Sequence, residues 1–496
     1  MRYSLSAPNP VARLIHVEAF LNDIQTPTVE LQLPSWRPGR YELQNFARNI
    51  QRFEIFDEHG QRLPFRKLTK DRWLVQTQGV TNLIARYTYY ANVINAGSSY
   101  VDERLLYVNP VNLCLYAEGR LREECTLELN VDQGWPVACG LTKTDDRTLW
   151  AADYYELVDS PLIASPDLQH HAFDVGSMTT HVWLQGNIRP DWQRIETDFR
   201  RFTEAQLQVF GEFPENDYHY LILVLPTPYY HGVEHRNSTA LVLGPDDDTV
   251  ELYTDLLGVS SHELFHAWNI IRIRPTELLP YDFTRENYFS TCFVAEGITT
   301  YYGDLMLRRS GVFDDAAYRK ELHVLLKRHF ENNGRAFQSL LESSWDLWLD
   351  GYDKGVPDRK VSVYHKGAIV AMILDLHLRR KFDHARTLDD VMRRLWERFG
   401  KPFVGYTPDD YRAVCEEVAD ESLDWYFDYC ISGNMPLEDL LNDYLAFVGF
   451  HMTYDPTDTV GNPTVLLHDL DNPAALIERA RWLNTPFVAV DLPVSV

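Results

Sequence analysis

The spacing of apolar residues changes once along the chain, near Pro190, and that change limits what the chain can fold into. Before it, residues alternate with the period of two that suits a strand with one face buried. Val29, Leu31 and Leu33 are separated by Glu30 and Gln32, and Leu127, Leu129 and Val131 by polar neighbours. Turn-forming clusters such as PSWRPGR and DEHGQR cut these runs into short strands. After it, Trp192, Ile195, Phe199, Phe202 and Gln206 follow helical spacing, with Leu207 and Phe210 widening the stripe. The two periods occupy separate blocks of a chain of 496 residues, which is more than one hydrophobic core can serve. The expected fold is therefore multidomain α+β, with an N-terminal antiparallel β domain over 1–185. A mainly helical domain with a small β-sheet follows over 186–452, and a short tail over 453–496.

Within the second block, YHYLILVLP at 218–226 is apolar enough for a buried strand and runs into a loop and edge strand, TPYYHGVEHRNSTALVL. Helical patterns then cover 252–270, 292–309, 314–331, 366–381, 387–399, 408–418 and 422–431. The tail holds a turn-rich DPTDTVGNP, a helix-like AALIERARWL and the terminal FVAVDLPVSV.

The formal charge of −25 without any Lys/Arg-rich run makes nucleic acid and anionic membranes unsuitable partners. No stretch approaches the roughly 20 apolar residues of a membrane span, and Pro8, Pro10, Arg13 and His16 interrupt what would be a signal peptide. A cytoplasmic protein is expected. The six cysteines form no CxxC pair, so they read as reduced, buried thiols; Cys292 in FSTCFVAEG is an ordinary apolar thiol rather than a nucleophile.

The stretch SHELFHAWN carries the chemistry. On a helix, His262 and His266 share a face and can turn imidazole nitrogens toward one ion, while Glu263 beside them reaches its bound water. A catalytic Zn2+, one per chain, needs a third protein ligand. Glu296 in CFVAEGITTYYGDLML supplies the candidate, because a carboxylate among apolar and small residues is costly unless it is used. Asp304, two turns further along, is placed to hold the free nitrogen of a ligating histidine. In HGVEHRNST, Gly232 lets a backbone come close, and Glu234 can either accept hydrogen bonds from a substrate's α-ammonium or cap a loop. In SVYHKGAIV, Tyr364 can either donate to the oxyanion of a tetrahedral intermediate or serve as a core aromatic.

Together HELFHAWNIIRIRP, VAEGITTYYGD, GVEHRNST and VYHKGAIVAMILDLHLR resemble the glycyl aminopeptidase family of zinc metallopeptidases, thermolysin-like enzymes related to aminopeptidase N. The resemblance extends over 1–452. LPSWRPGRYELQNFARNI is similar to the family's β domain, and TLDDVMRRLWERFG with GYTPDDYRAVCEEVA to its C-terminal helices. It implies a thermolysin-like catalytic domain with His262, His266 and Glu296 as zinc ligands and Glu263 as general base. By similarity to aminopeptidase N, Glu234 would hold the substrate amine and Tyr364 the oxyanion. The expected activity is removal of small N-terminal residues such as Gly or Ala from peptides. A zinc endopeptidase or another amide hydrolase is the alternative, followed by a noncatalytic peptide-binding protein. The gap from His266 to Glu296 is longer than in aminopeptidase N, so RIRPTELLPYDFTRENYF must form an excursion. Members of the family often end in a PDZ domain, for which the stretch after Tyr454 is too short.

Overall fold

A computed structural model describes residues 1–247, 249–352, 355–356, 359–456 and 464–484. They form two compact units. The first comprises Met1–Trp192, Glu215–Glu263 and Pro280–Asn287; the second comprises Gln193–Pro214, Leu264–Leu279 and the chain from Tyr288 onward. The division differs from the one expected at residue 185. Strands between 217 and 244 continue a sheet that begins at Gln169, so they stay with the β unit, and the boundary falls inside the helix Thr249–His266.

In the first unit a seven-stranded sheet has the order Thr142–Lys143, Thr148–Ala151, Cys125–Asn130, Arg2–Ser6, Leu14–Leu21, Leu83–Tyr90, Ile50–Asp57. It is antiparallel except where Arg2–Ser6 runs parallel to Cys125–Asn130. Period-two burial is plain in Leu14–Leu21, whose Ile15, Val17, Ala19 and Leu21 face the core while their neighbours stay partly exposed. Two four-stranded sheets accompany it. Three buried tyrosines, Tyr87, Tyr154 and Tyr3, donate their hydroxyls to the consecutive carbonyls of Leu113, Cys114 and Leu115 at 2.5, 2.7 and 2.6 Å, so this aromatic core leaves no phenol unsatisfied there. The excursion after the site helix enters the same core: Ser35 donates its backbone N–H to the Phe283 carbonyl at 2.9 Å, and Phe283 is buried.

The last sheet of this unit has five strands in the order Gln169–Val175, Met178–Gln185, Asp217–Val224, Ser238–Gly244, Tyr229–Glu234. Asp217–Val224 lies between two parallel neighbours, so Tyr218 through Val224 are all buried and the apolar run needs no alternation. Tyr229–Glu234 is antiparallel and at the edge.

The second unit is helical. Trp192–Phe210 buries Ile195, Phe199, Phe202, Gln206 and Phe210, the stripe legible in the sequence. His365–Lys381 is buried on nearly every side from Lys366 to Leu376, which fits its run of apolar residues without a polar face. Two helices went unread. Leu340–Asp350 begins at Ser339 with a complete capping box to Glu342, an S-x-x-E signal available in the sequence. Glu438–Phe447 buries Leu441, Tyr444 and Leu445. In the tail, Phe450–Asp455 pairs with Thr464–Asp469, and the helix Pro473–Trp482 ends on a fully buried Trp482 whose Nε1 donates to Tyr301 Oη at 2.9 Å. Most of DPTDTVGNP and all of FVAVDLPVSV lie outside the described residues. Among the described residues no helix is long and apolar enough to cross a membrane.

Candidate metal centre

The helix Thr249–His266 carries His262, Glu263 and His266 in its last two turns. It stops at once after His266. Trp268 is fully buried, stacks on Phe210 at 4.6 Å and donates Nε1 to the Glu212 carbonyl at 2.9 Å, which turns the chain away from the helix axis. Ile270 then adopts φ of 92°, a strained value for a β-branched residue. The turn directs the Asn269 carbonyl back at His266 Nδ1, 2.9 Å away. A carbonyl only accepts, so Nδ1 carries the proton and the neutral ring presents a lone pair at Nε2. That lone pair faces Glu296 Oε2 at 3.3 Å. Two acceptors opposed at this distance inside the protein call for a cation between them. Bonds of about 2.0 to 2.1 Å from a tetrahedral zinc to nitrogen and oxygen span an edge of about 3.3 Å.

Glu296 does not sit in a regular helix. Phe293–Ile298 forms a π turn before the α-helix Thr299–Arg309, and such a turn frees a carbonyl that an α-helix would use. Asn269 supplies the missing donor. The Nδ2 of its fully buried side chain shares its two hydrogens among Val294 O at 2.9 Å, Ala295 O at 3.1 Å and Thr299 Oγ1 at 3.0 Å. One residue thus orients His266 through its backbone and holds the Glu296 turn through its amide. Sequence reasoning passed over it, although a polar amide inside AWNII was a signal that it would need buried partners. The ligand atoms of His262, His266 and Glu296 lie within 4.8 Å of one another, and two imidazoles with one carboxylate are the donor set that suits zinc.

Tyr364 immediately precedes the helix His365–Lys381 and is half-buried. Its turn is pressed on the Glu296 turn by a glycine pair: a Cβ on Gly297 would stand 2.5 Å from Gly367 Cα, and one on Gly367 would stand 2.7 Å from Gly297 Cα. The closing glycines of VAEG and YHKG therefore exist for each other. A third glycine makes room in the β unit, where a Cβ on Gly232 would stand 2.2 Å from Glu263 Oε1. The carboxylates of Glu234 and Glu263 come within 4.8 Å of each other. Tyr218 fixes the backbone beneath, donating its hydroxyl to the Glu263 carbonyl at 3.2 Å.

Two side chains stand apart from this chemistry. Cys292 is fully buried, where no substrate reaches it. Asp304 does not hold His266, whose Nδ1 is taken by the Asn269 carbonyl, and it stands instead among Glu321, Arg328 and Tyr318. Its helix phase carries it toward Asp315–Phe330, not toward the ring. Burial, reinforced by Glu321 against the opposing pull of Arg328, lifts its carboxyl to about 7. An acid whose folded value is raised stabilises the fold at low pH and loses that contribution as pH rises through about 7. Asp304→Asn should therefore leave the melting temperature unchanged near pH 4 and raise stability by about 1 to 2 kcal/mol at pH 8. A thermal difference that does not vary with pH would contradict this assignment.

Comparison with known families matches residues 2–166 to the Peptidase M61 N-terminal domain and residues 255–370 to M61 glycyl aminopeptidase. Among solved structures, an aminopeptidase N family protein from Idiomarina loihiensis is 29% identical with a TM-score of 0.86, over 93% of this chain and 80% of that one. An M1 zinc metallopeptidase from Deinococcus radiodurans shares the fold at 14% identity and a TM-score of 0.55, over 88% of this chain and 94% of that one. No curated protein matches.

Proposed function

The chain belongs to the M61 glycyl aminopeptidase family, and from that premise we propose a zinc-dependent aminopeptidase that releases a small N-terminal residue, Gly or Ala, from peptides. The observation that carries the zinc is the opposition of His266 Nε2 and Glu296 Oε2 at 3.3 Å with Nδ1 already committed to Asn269. His262, His266 and Glu296 would hold the ion, which when bound supplies Lewis acidity toward the scissile carbonyl and the attacking water. Glu263 then accepts the water's proton at its carboxylate and passes it to the leaving amine. Gly232 keeps the space beside Glu263 Oε1 free of a side chain. The Tyr364 hydroxyl donates to the oxyanion.

Glu234 makes this an exopeptidase. It ends the edge strand Tyr229–Glu234, whose outer backbone groups are a template for an extended peptide, and its carboxylate lies beside that of Glu263. A peptide whose α-ammonium meets Glu234 would put its first peptide bond near the general base. The test is a cycle of substrate acetylation against Glu234→Ala. Each change alone should lower kcat/KM by about 10 to 100-fold, the loss of a charge-assisted hydrogen bond, and together they should cost little more than either. An enzyme that cleaves acetylated peptides as fast as free ones would instead be the endopeptidase.

A further inference from the structure

We propose that the turn Trp36–Arg40 of the β unit is part of the amine-recognition site, with Gly39 a positioning residue that sets the carboxylate of Glu234. The proposal rests on the reading of Glu234 as the anchor of the substrate amine.

Gly39 has φ of 72°, and a Cβ there would stand 3.0 Å from Glu234 Oε2 and 3.1 Å from Oε1. The turn therefore lies against the charged end of Glu234 and touches both oxygens, rather than covering its aliphatic stem. A glutamate side chain has three torsions to fix, and it reads an ammonium well only if its oxygens are held in place. The turn is built to hold them. Trp36 Nε1 donates to the Arg40 carbonyl, closing the turn on itself. Gln44 and Asn45 donate backbone N–H groups to the Ser35 carbonyl at 2.8 and 3.1 Å, and Ser35 is tied to Phe283. Arg37 is buried with its guanidinium flat on Gly97, where a Cβ would stand 2.0 Å from Nε.

A second loop meets the same strand. Ala96 donates its backbone N–H to His231 Nδ1 at 3.3 Å, and burial with the nearby Arg37 and Arg40 lowers that imidazole to about 4, so it stays a neutral acceptor. Loops of the β unit thus meet this strand at two side chains, His231 and Glu234. Two independent demands fall on residue 39: a left-handed backbone, and no side chain in front of a carboxylate.

Gly79 separates these demands. It has φ of 75° and nothing within 4 Å of a Cβ, so Gly79→Ala imposes the same backbone strain without the contact. With the full-length, zinc-loaded enzyme, Gly39→Ala should raise KM for a free glycyl reporter by about 10-fold and narrow the preference for free over acetylated substrate. Its kcat and metal content should stay unchanged, and Gly79→Ala should move none of these. Where Gly39→Ala melts lower than Gly79→Ala, the comparison is repeated on Glu234→Asp, whose shorter chain withdraws from the new methyl; the added effect on KM should then vanish. A Gly39→Ala enzyme indistinguishable from Gly79→Ala, a loss in kcat alone, or an effect that persists on Glu234→Asp would overturn the proposal. Glu234→Ala measured alongside tells the two failures apart. If it too keeps the full preference for a free amine, the anchor assignment is wrong; if it loses that preference while Gly39→Ala keeps it, only the role of Gly39 is.

Discussion

Glu263→Gln should keep its metal and its fold and lose turnover by about 10² to 10⁴-fold, the contribution of a positioned general base. The substitution preserves volume and shape, so the close fit between Gly232 and the end of the side chain survives. Metal should survive too, because His262, His266 and Glu296 already supply the two imidazoles and one carboxylate of a zinc site; Glu263 also comes within ligand distance of His266 and Glu234, so the metal content of the variant tests that division of roles directly. What disappears is the capacity to accept a proton: an amide oxygen still accepts a hydrogen bond, but the group no longer gains a stable proton near neutral pH. The side chain is only 6% exposed, so bulk water is a poor substitute for it as a proton acceptor. The measurement is turnover of a free glycyl reporter with zinc quantified in the same sample. Near-normal kcat in a zinc-loaded variant would remove Glu263 from the mechanism; loss of zinc would make it a ligand.

How far the site could be read from the sequence depended on where its information lay. The HExxH pair was legible because helical geometry is local: positions four apart share a face whatever surrounds them. Glu296 was legible for a different reason, the cost of a carboxylate amid Val, Ala, Gly and Ile. Helical periodicity could not reveal that Glu296 sits in a π turn, since a π turn differs from an α-helix in backbone bonding and not in residue type. Nor could it reveal that Asn269 bonds that turn, a contact set by how two distant segments pack. Asp304 misled for a related reason. Counting two turns from Glu296 assumed an α-helix throughout, and each π turn rotates the residues after it relative to those before. The two compact units divide elsewhere than at the change of period because that change marks where helical spacing begins, whereas sheet membership is decided by pairing: Asp217–Val224 lies beyond the helix Trp192–Phe210 in sequence yet pairs with Met178–Gln185. That the chain makes an excursion between His266 and Glu296 was foreseen, but its docking in the β core through Phe283 depends on contacts that no local pattern encodes.

Tyr364→Phe should lower kcat by about 10² to 10³-fold, as expected on removing one oxyanion donor, while leaving KM and melting temperature close to wild type. The asymmetry follows from where the residue stands. Tyr364 occupies the N-cap of His365–Lys381 with helical φ and ψ of −68° and −59°, and its side chain makes no capping hydrogen bond, so the helix does not depend on the hydroxyl for its start. That start is fixed instead by backbone approach, with Gly367 against Gly297 and the Ala368 N–H donating to the Tyr364 carbonyl at 2.9 Å. Phenylalanine keeps every one of these. The position of the ring relative to the Glu296 turn should therefore be unchanged, and what is withdrawn is the hydroxyl, a donor that on this reading counts most when negative charge develops on the carbonyl oxygen. An interaction made in the transition state and not in the ground state lowers kcat and kcat/KM together. If Tyr364 were a packing residue with a satisfied hydroxyl, the opposite pattern would follow: a buried partner left unsatisfied would cost about 1 to 3 kcal/mol of stability with kcat unmoved. The two readings thus predict effects on different observables, and a single substitution measured by both kinetics and thermal melting decides between them.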